Sequence, residues 1–213
     1  NSNKINLLGG KGANLAEMCN LGIPVPPGFT VSTEMCNYFL KNKSFPKNFK
    51  PLLLSALKKV QKNLDSKFGD AKNPLLFSVR SGARQSMPGM METVLNVGLS
   101  TITIKGLIQK TQNERFVYDS YRRLIMMYAD VVMEKANNLN HSGEGIRKKL
   151  DVILSQKKKE NKIINDFDLS VDQLKLLCDI YKDEVYNTFK KDFPDDPFKQ
   201  LWGAIEAVFL SWN

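Results

Sequence analysis

Two apolar runs on either side of a polar, glycine-containing loop constrain the fold of this chain more than any other feature. Residues 75–79 are long enough for a buried strand, and residues 93–97 have the composition of a second one. A strand that ends in Arg80-Ser81-Gly82 can hold a guanidinium group at the mouth of a site, and a loop with glycines lets backbone N–H groups approach an anion closely. A hairpin with solvated arginines fits the same residues, so both interpretations stay open.

A second glycine-rich segment lies near the start of the chain. Residues 8–14 place three glycines around Lys11 and lead directly into the helical pattern of residues 15–18. Backbone N–H groups and the helix dipole favour an anion at such a junction, and Lys11 adds a full positive charge. The spacing is not that of a P-loop. A turn that binds nothing is the alternative interpretation.

The positive charge of the chain does not identify a partner by itself. The 213 residues include 31 Lys and Arg against 22 Asp and Glu, a formal net charge of +9. Much of the surplus is lysine in polar tracts without a nucleic-acid-binding motif, so we expect a solvated surface and no nucleic-acid partner. No apolar run approaches the roughly 18 residues of a membrane span, and we expect no membrane partner. The three cysteines have no metal-ligand spacing.

Helical periodicity dominates the second half of the chain, which predicts an α+β fold. Helices are predicted at residues 33–40, 51–64, 104–111, 114–135 and 144–156, and from residues 170 and 197 onward; residues 23–31 are predicted to lead into a strand. We expect a mixed α/β lobe with both candidate anion-binding loops at 1–100, a helical inserted subdomain at 101–190, and a helix at 191–213 that returns to the first lobe. Because the chain does not begin with Met, we also expect a piece of a longer protein.

The two loops together make the sequence similar to a known enzyme family. Residues 6–31, NLLGGKGANLAEMCNLGIPVPPGFTV, and 76–99, LFSVRSGARQSMPGMMETVLNVGL, resemble the nucleotide-binding domain of the pyruvate, phosphate dikinases. The similarity continues at residues 118–123 and 204–212. Phosphoenolpyruvate synthases share Gly-Gly-Lys and Val-Arg-Ser but carry a different loop in place of residues 86–93. A synthase-type dikinase is therefore the nearest alternative.

The resemblance implies a fold, a reaction and a set of site residues. The fold would be the N-terminal lobe of an ATP-grasp-like nucleotide-binding domain with a mainly helical inserted subdomain. The full-length enzyme would convert ATP, pyruvate and phosphate to AMP, phosphoenolpyruvate and diphosphate with Mg²⁺. By motif, Lys11 and Arg80 correspond to the catalytic cations that bind the ATP phosphates. The backbone around Gly89, Met90 and Met91 corresponds to a loop that covers these phosphates. The Mg²⁺ ligands are expected outside this chain, so we predict no metal site in it.

The resemblance also implies partners. The acceptor of the first phosphoryl transfer would be a histidine in a separate domain of the same full-length protein, in a Thr-Ser-His-Ala motif that this chain lacks. His141, the only histidine, lies in a different context. We therefore expect the chain alone to be inactive, the full-length protein to be a homodimer through another domain, and its location to be the cytoplasm, with an organelle as the alternative. A non-catalytic helical interaction module with a basic surface is the alternative from another functional class.

Overall fold

The structure is a computed structural model that describes residues 4–82, 93–139 and 144–212. These ranges contain the helices and strands α1 (Ile5–Asn20), α2 (Thr33–Asn42), α3 (Phe49–Leu64), β1 (Lys67–Phe68), β2 (Pro74–Leu75), β3 (Phe77–Arg80), β4 (Thr93–Val97), α4 (Thr101–Thr111), α5 (Glu114–Tyr128), α6 (Ile146–Glu160), α7 (Val171–Phe189) and α8 (Pro197–Leu210). β1 pairs with β2 and β3 pairs with β4, as two separate two-stranded sheets. The predicted α+β class is confirmed. Among the helices of these ranges, none combines the length and apolar composition needed to cross a membrane.

The chain divides into two compact units. Unit 1 comprises Asn1–Lys67, Arg80–Thr93 and Val208–Asn213, and unit 2 comprises Phe68–Val79 and Val94–Ala207. Both of the loops singled out in the sequence therefore fall in unit 1. The three-part division expected from the sequence stays a prediction.

Strand β3 and residues 23–31 differ from what the sequence predicts. In β3, Phe77 and Val79 are half-buried while Ser78 and Arg80 are exposed, so the expected fully buried strand is wrong. This alternation is typical of a strand with only one covered face. Residues 23–31, for which the sequence predicts the approach to a strand, have no regular secondary structure along this described segment. Its three prolines lack the N–H group that a sheet ladder needs.

An aromatic cluster forms the core of unit 1. The ring of Phe45 lies 4.7 Å from that of Phe39 in α2 and 4.8 Å from that of Phe49 in α3. Phe209, near the end of α8, packs 5.6 Å from Phe39. The Cys36 thiol donates a hydrogen bond to the Phe209 carbonyl oxygen at 3.8 Å, and burial raises the pKa of Cys36 to about 11. Phe209 thus fixes the end of α8 to the core of unit 1.

Unit 2 is built around the packed pair of helices α5 and α7. Val117, Leu124, Leu174 and Leu177 are almost fully buried. The start of α7 follows the sequence prediction, because Ser170 accepts a hydrogen bond from the Gln173 backbone and Gln173 accepts one from the Ser170 backbone. This reciprocal capping box satisfies two N–H groups that lack helical partners.

Helix α5 is shorter than the sequence predicts. The apolar pattern favours a helix over residues 114–135, but α5 ends at Tyr128 and is followed by a π-helical turn, Ala129–Glu134. The buried Glu134 carboxylate accepts a hydrogen bond from the Ile146 backbone N–H at 2.9 Å. The wider turn therefore presents a carboxylate to the start of α6, where the helix dipole favours negative charge.

A buried arginine connects α5 with the segment that follows α6. The Arg122 side chain is only 3% exposed, and it lies 2.7 Å from an Asp119 carboxylate oxygen and 3.3 Å from an Asp166 carboxylate oxygen. Burial acts to raise the pKa of Asp119, but hydrogen bonds from Arg122 and Arg123 together hold it below its ordinary value. The pKa of Asp166 is lowered chiefly by its hydrogen bond from Lys158. Two ionised carboxylates therefore balance the buried guanidinium group.

We predict that unit 2 loses stability in acid through these two carboxylates. Their folded pKa values are lower than the unfolded values, so their contribution is complete above the unfolded pKa and disappears as the pH falls through the folded pKa. Asp119→Asn should lower the free energy of unfolding at pH 7 by about 3 kcal/mol, since it leaves a buried charge short of a partner. It should also flatten the dependence on pH. Urea denaturation between pH 3 and pH 7 measures both effects.

Asp183→Asn is the matched control, because Asp183 is an exposed carboxylate on α7. Its substitution should leave the acid profile close to that of the wild type. An Asp119→Asn variant with the wild-type profile would show that the Arg122 network contributes nothing to the pH dependence.

Candidate functional site

The glycine-rich segment is a break within α1 and not the loop that the sequence predicts. Gly9 has φ 70° and ψ 170°, while helical residues lie on both sides of it. Glycine is required there because side chains with a Cβ atom rarely adopt a positive φ. Lys11 consequently lies in the first helical turn after the break, and its side chain is exposed.

The break in α1 lies where the chain meets Gly82. A Cβ atom on Gly9 would overlap the carbonyl oxygen of Gly82, and a Cβ atom on Gly82 would lie 3.4 Å from the Leu8 carbonyl oxygen. Gly82 follows Arg80 by only two positions. The structure therefore brings the segment that carries Lys11 into contact with the segment that carries Arg80, and both belong to unit 1.

Two further contacts hold α1 in place around the break. Before it, the Thr33 hydroxyl at the start of α2 donates a hydrogen bond to the Asn6 carbonyl oxygen at 2.6 Å. After it, a Cβ atom on Gly12 would lie 2.8 Å from Cγ2 of Thr30, so that glycine permits close packing. Lys11 therefore projects from a backbone that is fixed on both sides.

The segment after Arg80 is fixed by a side-chain hydrogen bond. Ser81 is only 5% exposed. Its hydroxyl oxygen accepts a hydrogen bond from the indole N–H of Trp212 at 3.1 Å. Arg80 itself ends β3 with an exposed side chain. A fixed backbone and an exposed guanidinium group thus occur side by side.

The two segments that meet at Gly9 and Gly82 each carry an exposed cation, Lys11 on one and Arg80 on the other. Within the described ranges, neither Lys11 nor Arg80 forms an ion pair with a carboxylate. Two exposed cations on neighbouring segments can therefore engage an anionic ligand without first losing a protein partner. No group of three or more His, Cys, Asp or Glu side chains in these same ranges is arranged to hold a metal ion.

Several residues singled out in the sequence lie outside the described residues. Gly89, Met90 and Met91, predicted to cover the phosphates, fall within residues 83–92, and His141 falls within residues 140–143. Their functions stay predictions.

Sequence reasoning misses the two contacts that organise this site. It expects a helix at residues 191–213, which would include Trp212, but α8 ends at Leu210 and Trp212 lies in the turn beyond it. It treats the glycines as flexible loop residues and does not pair Gly9 with Gly82. Two features of the sequence point to these contacts: a tryptophan with an N–H donor near residue 212, and a glycine close to each candidate cation. Neither feature identifies the distant residue with which the contact is made.

The first part of the chain is similar to a known protein family. Residues 5–56 match the family model described as "Pyruvate phosphate dikinase, AMP/ATP-binding domain". This range contains α1, its break at Gly9 and Lys11, so the glycine-rich segment lies in the part of the chain that is similar to this family.

The similarity to individual proteins extends over the whole chain. The chain is 45% identical to a pyruvate, phosphate dikinase of Clostridium symbiosum, to one of Rhizobium meliloti, and to the chloroplastic pyruvate, phosphate dikinase 1 of Arabidopsis thaliana. The alignments cover 100%, 96% and 97% of this chain but 24%, 22% and 20% of the relatives. The chain thus spans about a quarter or less of the length of these curated relatives. It is related to the pyruvate, phosphate dikinases, as the sequence motifs predict.

We predict that the contact between Gly9 and Gly82 makes Gly9→Ala strongly destabilising. The new methyl group would overlap a backbone carbonyl oxygen and would also strain a residue with positive φ. Together these effects should lower the free energy of unfolding by about 2–4 kcal/mol. Urea denaturation followed by circular dichroism measures the change.

Gly22→Ala separates the two causes. Gly22 has a similar φ of 73°, but a methyl group added there would have no atom within 4 Å, so only the backbone strain applies, at about 1 kcal/mol. Equal losses in the two variants would contradict a specific contribution from the Gly82 contact.

Proposed function

We propose that this chain is the ATP-phosphate-binding part of a pyruvate, phosphate dikinase. Such an enzyme converts ATP, pyruvate and phosphate to AMP, phosphoenolpyruvate and diphosphate. The observation that carries the proposal is the contact between Gly9 and Gly82, which joins the segments of Lys11 and Arg80 within unit 1. A module that only bound other proteins would have no need of two exposed cations on fixed, glycine-lined backbone.

The proposed chemistry is the first phosphoryl transfer, from the β-position of ATP to a histidine. Phosphoryl transfer needs positioned reactants and cations on the phosphate oxygens more than covalent participation by the protein. The planar guanidinium group of Arg80 can bind two oxygens at once and stabilise the charge that develops on them. Lys11 adds a point charge in the first turn after the helix break, where the helix dipole also favours an anion.

The remaining elements of the proposal lie outside the described residues or outside the chain. The backbone around Gly89, Met90 and Met91 would cover the phosphates. Mg²⁺, when bound to ATP, would neutralise charge on the phosphate oxygens, and its ligands are expected outside this chain. The phosphate acceptor would be the phosphohistidine domain of the full-length protein. We expect that protein to be a homodimer in the cytoplasm or an organelle, without a nucleic-acid or membrane partner.

Arg80→Ala in the full-length protein should reduce phosphorylation of the histidine by about two to three orders of magnitude, because it removes a cation aimed at the developing charge. Labelling with [β-³²P]ATP measures the transfer. Arg147→Ala removes an exposed arginine of unit 2 and should leave labelling unchanged. Near-normal labelling of the Arg80→Ala protein would remove Arg80 from the proposed site.

ATP binding itself is tested by thermal unfolding. A ligand that binds only the folded state raises the melting temperature in proportion to the logarithm of its concentration over Kd. ATP should therefore stabilise the full-length protein, and Lys11→Ala should shrink that shift, whereas Lys58→Ala on the exposed face of α3 should not. A wild-type protein without any ATP-dependent shift would favour the interaction module.

A further inference from the structure

We propose that Trp212 is a positioning residue for Arg80 and acts through its hydrogen bond to Ser81. This inference rests on the proposed function, because Arg80 acts on phosphate oxygens only if the chain binds ATP. It adds a residue from the far end of the chain to a site otherwise made from α1 and the end of β3. The contact that carries it is the 3.1 Å hydrogen bond from the Trp212 indole N–H to the Ser81 hydroxyl oxygen.

Trp212 is itself held in place. Phe209, three residues earlier, packs its ring 5.8 Å from that of Phe45 and 6.2 Å from that of Phe49. The turn between them is closed by a hydrogen bond from the Trp212 backbone N–H to the Phe209 carbonyl oxygen at 3.2 Å, and by one from the Ser211 hydroxyl to the Val208 carbonyl oxygen at 2.7 Å. The indole N–H is therefore presented from a backbone anchored in the core of unit 1.

Ser81 transmits this anchoring to Arg80. It is buried, and it lies between the exposed Arg80 and Gly82, which is in contact with Gly9. The segment is thus fixed at two successive residues, by a side-chain hydrogen bond at Ser81 and by a backbone contact at Gly82. A short arginine-bearing segment with two such fixed points has little freedom to move its first residue. The backbone from which the Arg80 side chain projects is consequently restrained by the contacts of Ser81 and Gly82.

The indole group suits this function for a chemical reason. Its N–H is a donor only, so the hydrogen bond can form in one direction, with the Ser81 oxygen as acceptor. Phenylalanine retains most of the ring but has no donor. Trp212→Phe therefore removes the hydrogen bond with little loss of apolar packing, and it is the variant that isolates the proposed interaction.

The test is the rate of histidine phosphorylation in the full-length protein, measured in single turnovers with [β-³²P]ATP. Trp212→Phe should lower the maximal rate about tenfold, since small misplacements of a catalytic group are costly, and should change the ATP concentration for half-maximal rate less than about twofold. Ser81→Ala should give the same result. Trp202→Phe, the matched substitution in α8, should leave the rate unchanged.

The decisive comparison uses an Arg80→Ala background. If Trp212 acts through Arg80, adding Trp212→Phe there should produce no further fall in rate, whereas a general structural effect would lower both backgrounds equally. Equal falls, or a Trp212→Phe protein as fast as Trp202→Phe, would overturn the inference. If Trp212→Phe does not fold, Ser81→Ala in both backgrounds answers the same question. Absence of labelling in the wild-type protein would instead overturn the proposed function, so the two failures are distinguishable.

Discussion

The carbonyl group of Gly82 occupies the space that any side chain at Gly9 would need, and the geometry of the candidate site depends on this contact. Such close approach is possible only because Gly9 lacks a Cβ atom, whereas a Cβ atom on Gly82 would lie at an ordinary contact distance of 3.4 Å from the Leu8 carbonyl oxygen. It coincides with a positive φ at Gly9, which interrupts α1 and begins a new helical turn just before Lys11. One steric constraint therefore places a cation, a helix start and the segment after Arg80 in the same region of unit 1.

The aromatic cluster of unit 1 anchors the segment that carries Trp212, which in turn contacts Ser81. Phe39, Phe45 and Phe49 come from one short stretch of the chain, and Phe209 comes from a distant one. Aromatic pairs contribute about 0.5–1.5 kcal/mol beyond the burial of their surface, and the favoured ring geometries also restrict orientation. Because Phe209 is one of these rings, the end of the chain is fixed close to Ser81. The apolar core and the polar site are therefore coupled through the short segment from Phe209 to Trp212.

The features that sequence reasoning predicts are local ones. The capping box of Ser170 and Gln173 follows from residues three positions apart, and helices α2, α3, α4 and α7 follow from periodic apolar faces. The features it misses depend on distant contacts. The end of α5 at Tyr128 depends on a turn whose Glu134 meets Ile146, and the break in α1 depends on Gly82. The candidate cations Lys11 and Arg80 are identifiable by motif, but nothing in the local sequence states that Gly9 and Gly82 touch.

Arg122 and Arg80 differ in burial, and this difference separates an arginine with a structural function from one that can bind a ligand. Arg122 is buried and therefore has to be balanced, which Asp119 and Asp166 do at hydrogen-bonding distance. A guanidinium group neutralised in this way stabilises the fold but has no capacity left for a phosphate. Arg80 is the opposite case, since it is exposed and forms no ion pair with any described carboxylate. The contacts of Ser81 and Gly82 restrain its backbone instead, which is the physical reason for expecting these neighbours, rather than a carboxylate, to position Arg80.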